Sequence, residues 1–525
     1  QLQSELQVRL THLKEHQQCQ FIAGLQEFVA ADAESSGLIS LEERSQWQFE
    51  PRGSSPSIVH DPNSCVRCQA CVDVCNSIQG VGALSFDEEK GVIFDETKCI
   101  RCGQCVLTCP MGFRKMPDFV GKLMGCEPCP FSRPLGAMRE VDQTREVWDA
   151  LKDPEKYVVV QFAPAVRATL GEEFGLETGE LVTERLYAGL RRLGFQQVWD
   201  TNFSADLTIM EEGFELIHRV NNGGTLPQFT SCSPGWIRYC ENFYPDLIPN
   251  ISSAKSPQQM FGAVAKTFAA ERLKVDPRKM YVVSIMPCTA KKIEAEREEF
   301  DSAYRYWLEK GKVQEGDRFQ DVDVVLTSRE AVKLLKMGKI DLPNMPAEQP
   351  DPLLGEYTGA APIFGRTGGV MEAALRTAYE VILEKPLEKL EFEGLGTLDG
   401  IKTATVSLDG LDVKVAVVHG TGNAKKVCES VRDGGEFASY HFIEFMACDG
   451  GCIGGGGQII PTNTMVRQAR SEGVNRDDRE HELRKSHLNT EVDQLYKEFL
   501  DKPLSHLSHH LLHTSYTDRS AEVSS

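Results

Sequence analysis

Eight cysteines in two copies of one spacing constrain this chain more than any other feature. Cys65-x2-Cys68-x2-Cys71-x3-Cys75 recurs as Cys99-x2-Cys102-x2-Cys105-x3-Cys109, with Pro110 next. A 4Fe–4S cluster needs four thiolates at tetrahedral corners, and this spacing offers three from one short loop. The fourth comes from the other repeat. The expected ligand sets are therefore Cys65, Cys68, Cys71 and Cys109 for one cluster, and Cys99, Cys102, Cys105 and Cys75 for the other. A pair of structural zinc sites is the competing reading, but zinc ribbons use two separated CxxC pairs rather than an eight-cysteine run. Two such clusters pass single electrons over short distances and make no bonds of their own.

That spacing resembles the bacterial two-cluster ferredoxins, so residues 58–122 are read as a small α+β domain of that kind. The chain of 525 residues holds 17 cysteines, ten of them between Cys65 and Cys129, too few for a secreted disulfide scaffold. Its first residues show no basic n-region, apolar core or twin arginine, so no export signal is visible and a reducing, cytoplasmic setting is expected. The missing initiator Met suggests a start inside a longer or processed chain. A net charge of −20 argues against nucleic acid, and no apolar run reaches the roughly 18–20 residues of a membrane span. Cys126 and Cys129 are read as two thiols without metal. His16 and Cys19 are read as a remnant, or chance likeness, of a His-plus-three-Cys cluster motif whose other cysteines are missing.

Four segments are expected: a helical stretch over 1–57, a candidate remnant of an accessory module; the cysteine-rich unit at 58–122; a large α/β region at 123–470; and a charged, helical tail at 471–525. In the α/β region, 157–163, 280–286, 322–326 and 440–446 read as strands, and 403–408 with 413–418 as a strand pair. Helices are expected at 179–193, from 291, at 330–337 and at 369–383, giving layered sheets with helices on their faces.

Three loops at strand ends carry cysteine: Cys232 in Phe-Thr-Ser-Cys-Ser-Pro-Gly-Trp236, Cys288 in Met-Pro-Cys-Thr-Ala-Lys-Lys292, and Cys448 with Cys452 ahead of a glycine run at 454–457. Strand ends are where open α/β folds place ligands, and glycines let backbone approach a bulky group. A flexible hairpin is the plainer reading of the glycines. Cys240 and Cys428 read as helix and core residues.

From about residue 58 to 515 the chain resembles the FeFe-hydrogenases. The likeness rests on these three loops in order, on Phe162-Ala-Pro-Ala-Val-Arg167 and on Phe364-Gly-Arg-Thr-Gly-Gly-Val-Met-Glu-Ala-Ala374. Lys485-Ser-His-Leu-Asn489 and Leu507-Ser-His-His-Leu-Leu-His513 resemble the family's C-terminal belt, a separate small subunit in some members. The resemblance implies a two-lobed catalytic domain of helix-flanked sheets built around the H-cluster, a 4Fe–4S cubane joined to a two-iron unit with CO, cyanide and azadithiolate. It implies that Cys452 bridges the two parts and that Cys288 and Cys448 hold the cubane. The family's fourth ligand position is Ser233 in this chain. Three readings stay open: Ser233 ligates through oxygen, Cys232 shifts to replace it, or the site is a degenerate or engineered variant with a labile cluster. The ungapped flanks favour Ser233.

The resemblance further assigns proton transfer to Arg219, Glu215, Ser252, Glu212 and Cys232. Glu212, Glu215 and Arg219 fall on one face of a helix, which alone would read as a salt-bridged surface. Lys291 matches a lysine that holds a cyanide. Ala163, Pro164, Ser256, Gln258, Met286, Phe364 and Met446 match the wall of the two-iron pocket. Ala165, Asp449 and Ile459 depart from common members. The implied activity is 2 H⁺ + 2 e⁻ ⇌ H2, with electrons entering through the two ferredoxin clusters. The implied partners are a ferredoxin or flavodoxin-like carrier, hydrogenase maturation proteins and subunits of a larger electron-transfer complex. A sensory or low-activity hydrogenase-like protein, an iron–sulfur assembly factor resembling the prelamin-recognition-factor-like proteins, and a plain electron carrier are the alternatives.

Overall fold

The computed structural model describes residues 55, 57–62, 65–110 and 137–524, apart from 393, 396 and 409. His16, Cys19, Cys126, Cys129 and the helix expected over 1–57 lie outside the described residues. The chain divides into two compact units.

Among the described residues, the smaller unit carries four short strands: β1 (Ile58–His60), β2 (Leu84–Asp87), β3 (Gly91–Phe94) and β4 (Met138–Glu140). β1 pairs antiparallel with β4, and β2 with β3. A small core of Ile58, Val72, Val74, Leu84, Val92 and Val106 packs against the cysteines. The internal repeat of the sequence is visible here, because β1 and β3 each run into one cysteine motif.

The larger unit takes in most of 142–525 and also Ile78–Val81 and Ile100–Gly103. Its strands are β5 (Tyr157–Phe162), β6 (Gln197–Val198), β7 (Gln228–Phe229), β8 (Met280–Met286), β9 (Val324–Thr327), β10 (Ile401–Leu408), β11 (Leu411–His419) and β12 (Phe442–Met446). One sheet has the order β6-β5-β8-β9 and is wholly parallel. β5 and β8 are mostly apolar, interrupted by Gln161 and Ser284, because both faces are buried. The second sheet has the order β10-β11-β12-β7, with an antiparallel β10–β11 hairpin and parallel pairs beyond it.

Four helices matter for the site: α1 (Thr183–Leu193), α2 (Thr201–Asn222), α3 (Pro234–Phe243) and α4 (Ala290–Ala295). Expected strands and helices recur with shifted ends. The helix expected from 179 begins at Thr183, since Gly179 adopts φ +84° and leaves helical backbone. The strand expected at 322–326 spans Val324–Thr327, where Thr327 turns to cap the helix Ser328–Met337 in a box with Glu330. β6 and β7, two residues each, carry no pattern that sequence periodicity could detect.

Candidate active site

The loops after β5, β7, β8 and β12 converge on one cavity with about 750 Å³ of empty space. Asp200 opens α2 by accepting the amide of Asn202 at 2.9 Å, as an N-cap should. The loop carrying Cys232 and Ser233 is pinned from beneath. Trp236 stacks on Phe445 of β12 at 3.9 Å between ring centroids, and its indole donates to the carbonyl of Thr230 at 3.2 Å. Pro234 then starts α3 immediately after Ser233.

Cys288, Cys448, Cys452 and Ser233 all line this cavity, as does Cys232. Ser233 Oγ accepts the amide of Ala447 at 3.2 Å, so the hydroxyl is held at the cavity edge. Six of the seven expected wall residues line the cavity too, Ala163, Pro164, Gln258, Met286, Phe364 and Met446, and so does Lys291. The seventh, Ser256, does not line it; Ser256 Oγ instead donates to Glu294 Oε2 at 3.0 Å.

Glu294 is the residue that sequence reasoning missed. Buried in α4, it accepts from Lys291 Nζ at 3.0 and 2.8 Å, from Gln258 Nε2 at 3.0 Å and from Ser256. Lys291 Nζ also donates to the carbonyl of Cys232 at 3.1 Å. One carboxylate thus orients three expected polar residues. Its signal was present in the chain, three positions after Lys291 on the same helical face.

Of the residues expected to carry protons, Arg219, Glu215 and Ser252 form a hydrogen-bonded line. Arg219 donates to Glu215 Oε1 from Nη2 at 2.7 Å and from Nε at 3.2 Å. Ser252 Oγ donates to Glu215 Oε2 at 2.6 Å. The amide of Ser231 donates to Glu212 Oε1 at 3.3 Å, while Glu212 Oε2 is buried without a partner among the described residues. Burial, with the nearby Glu215 charge adding to it, pushes the Glu212 carboxyl up to about 8. Burial would raise Glu215 as well, but the Arg219 guanidinium and the Ser252 hydroxyl hold it below the usual carboxylate range. Burial, then the Glu212 carboxylate, pushes the Cys232 thiol well up, so it stays protonated at neutral pH.

The residues fit a cluster. Three thiols and a hydroxyl face one apolar space, and the chain around them has no room for side chains. A Cβ on Gly455 would sit 2.1 Å from the Pro287 carbonyl, and one on Gly451 (φ +84°) would sit 2.6 Å from the Thr367 amide. In the smaller unit, Cys65, Cys68, Cys71 and Cys109 line a second cavity of about 320 Å³. Burial raises the Cys71 thiol, and the other three cysteines add to the effect, so all four lie within electrostatic reach. Of the other expected set, Cys75 and Cys99 are likewise coupled, while Cys102 belongs to the larger unit and lines the catalytic cavity. Among the described residues, no three His, Cys, Asp or Glu side chains close around a single ion. A cubane asks for ligands at its corners rather than around one centre.

A family model described as the iron-only hydrogenase large subunit, C-terminal domain, matches residues 156–456. The chain belongs to the iron-only hydrogenases. The iron hydrogenase small subunit model matches residues 464–519 of this hydrogenase, and a 4Fe–4S dicluster domain matches 64–113. The hydrogenase is 44% identical over 472 residues to the NADP-reducing hydrogenase subunit HndD of Solidesulfovibrio fructosivorans, a match covering 89% of this chain and 75% of that protein. Its fold is similar to that of a variant of [FeFe]-hydrogenase HydA1 from Chlamydomonas reinhardtii, with a TM-score of 0.63 and 38% identity over 72% of this chain and all of that one. The cytosolic Fe–S cluster assembly factor narfl of Danio rerio is more distant, at 30% identity over 69% of this chain and 86% of that protein. The hydrogenase is an oxidoreductase acting on H2, with 4Fe–4S clusters and the H-cluster as cofactors.

Proposed function

We propose that Cys288, Cys448, Cys452 and Ser233 hold the H-cluster, and that Cys65, Cys68, Cys71, Cys109 and Cys99, Cys102, Cys105, Cys75 hold the two electron-relay clusters. When bound, the H-cluster supplies the reversible two-electron chemistry of H2. The chain's own residues deliver protons and exclude water. Arg219 keeps Glu215 ionised, so Glu215 receives a proton and yields it through Ser252. Glu212 stays protonated to about pH 8 and serves as the internal acid. Cys232 is the last protein donor before the cavity. Pro164, Met286, Phe364 and Met446 wall the cavity with apolar surface, while Glu294 holds Lys291, Gln258 and Ser256 in place.

The observation that carries this reading is Glu212 itself: a fully buried carboxyl with an oxygen unpaired among the described residues, within electrostatic reach of both Glu215 and Cys232. Proton transfer gives a task to an acid in that position.

Ser233 is tested by Ser233→Cys, followed by iron content and electron paramagnetic resonance. A thiolate is a softer, better donor to iron than a hydroxyl, so the variant should change the cubane signal at equal iron content. An unchanged signal would overturn the ligand assignment.

The division into 1–57, 58–122, 123–470 and 471–525 is kept as the domain reading. The similarity to a protein named as one subunit of an NADP-reducing hydrogenase supports partner subunits in a larger electron-transfer complex. A ferredoxin or flavodoxin-like carrier would supply electrons, and maturation proteins would install the two-iron unit. Among the described residues no helix is long and apolar enough to cross a membrane. The reducing setting that thiolate ligands need supports the cytoplasm.

A further inference from the structure

The two cysteine motifs are copies, but the residues leading into them differ. β1 ends in His60, and β3 ends in Phe94 at the same distance ahead of its own first cysteine. His60 is 3% exposed and lines the cavity formed by Cys65, Cys68, Cys71 and Cys109. Its Nε2 has no hydrogen-bond partner among the described residues. A buried ring nitrogen left unpaired is costly. The four sulfurs on this cavity act as acceptors, Val66, Val92, Pro110, Ala137 and Met138 offer no side-chain donor, and Gln69 is exposed. Among the described side chains of this cavity none can donate to Nε2, so a tautomer with hydrogen on Nε2, aimed at sulfur, is the one they satisfy. Phe94 has no donor to offer the other cluster.

We propose that His60 donates a hydrogen bond from Nε2 to the sulfurs of the cluster held by Cys65, Cys68, Cys71 and Cys109, and so gives the two electron-relay clusters unequal potentials. The inference rests on that ligand set. Hydrogen bonds to cluster sulfur stabilise the more negative, reduced state and raise the potential. The cluster beside His60 therefore takes the first electron delivered to the pair.

The test is a redox titration of the holoenzyme followed by electron paramagnetic resonance, for the native chain, His60→Phe and His60→Gln. His60→Phe copies the second repeat and should lower one midpoint potential while leaving the other in place. His60→Gln keeps an N–H donor and should restore most of the shift. In native enzyme labelled with 15N-histidine, the reduced cluster should show a histidine nitrogen coupling that His60→Gln abolishes. Unchanged potentials in His60→Phe at full iron content would overturn the proposal, as would absence of the nitrogen coupling. If His60→Phe loses its cluster, the coupling in the native enzyme decides alone. Cys71→Ser separates the two failures. If both cluster signals survive it unaltered, the ligand set is wrong; if it disturbs one cluster while His60→Phe moves neither potential, only the role of His60 falls.

Discussion

Glu212 and Glu215 lie one turn apart on α2 and are driven in opposite directions. Glu215 is paired with Arg219 and held low, while Glu212 is buried and pushed up to about 8. The folded value of Glu212 stands above the ordinary 4.5, so the folded chain binds this proton more tightly than the unfolded one. Its stabilising contribution is full below about 4.5 and drains as pH rises through about 8. Glu212→Gln removes that drain, and its melting temperature should fall less steeply over the same window than that of the native chain. Thermal melts at several pH values read this directly. The same variant should lose about 10²-fold or more in H2 evolution, because the amide cannot carry the proton. The helical spacing of these residues was legible in the chain; their opposed acidities were not, because burial, and the hydrogen bonds from Ser231 and Ser252 that oppose it, are set by the fold.

At the scale of elements, α2 is tied to the cavity wall through Arg167. Its Nε donates to the carbonyl of Pro164 at 3.1 Å, and Nη2 donates to both oxygens of Asp200 at 2.7 and 2.9 Å. Asp200 thus caps α2 and pins the turn that lines the cavity. Asp200→Ala takes the nearest carboxylate from a fully buried guanidinium, leaving it Tyr357 and Asp477, and removes a helix cap, at a cost of about 3–5 kcal/mol. Urea melts should show that loss, with Asp200→Asn intermediate because it keeps the cap. The segment Phe162-Ala-Pro-Ala-Val-Arg167 was recognisable in the chain as a motif, but the partner of Arg167 was not. Long apolar strands such as β5 and β8 were also recognisable. β7 was not, although it pairs with β12 and leads into the Cys232 loop. A two-residue strand is defined by its partner rather than by its own pattern.

Across the whole chain, the C-terminal segment packs over Ser252 and its neighbours, on the proposed proton line. Lys255 donates its amide to Leu512 and Thr514 donates to Ser253, both at 2.8 Å, and the Tyr516 hydroxyl donates to the Ser252 carbonyl at 3.1 Å. Buried Glu211 is the fastening, accepting from the Tyr496 hydroxyl at 2.5 Å and the Leu504 amide at 2.9 Å, with His513 Nε2 at 3.0 Å. Glu211→Ala should cost about 1–3 kcal/mol for the unpaired donors it leaves. Hydrogen–deuterium exchange should quicken over 504–514 and stay native at β5 and β8; uniform exchange would show that Glu211 is not the fastening. The cluster spacings and the three cysteine loops could be read from the linear chain, because a short loop sets its own ligand geometry. The belt likeness could be read too, but not that it seals Ser252. Glu211 with His513, and Arg167 with Asp477, meet across 302 and 310 positions of chain. Such pairings come from burial and close packing, which exist only once the chain has folded.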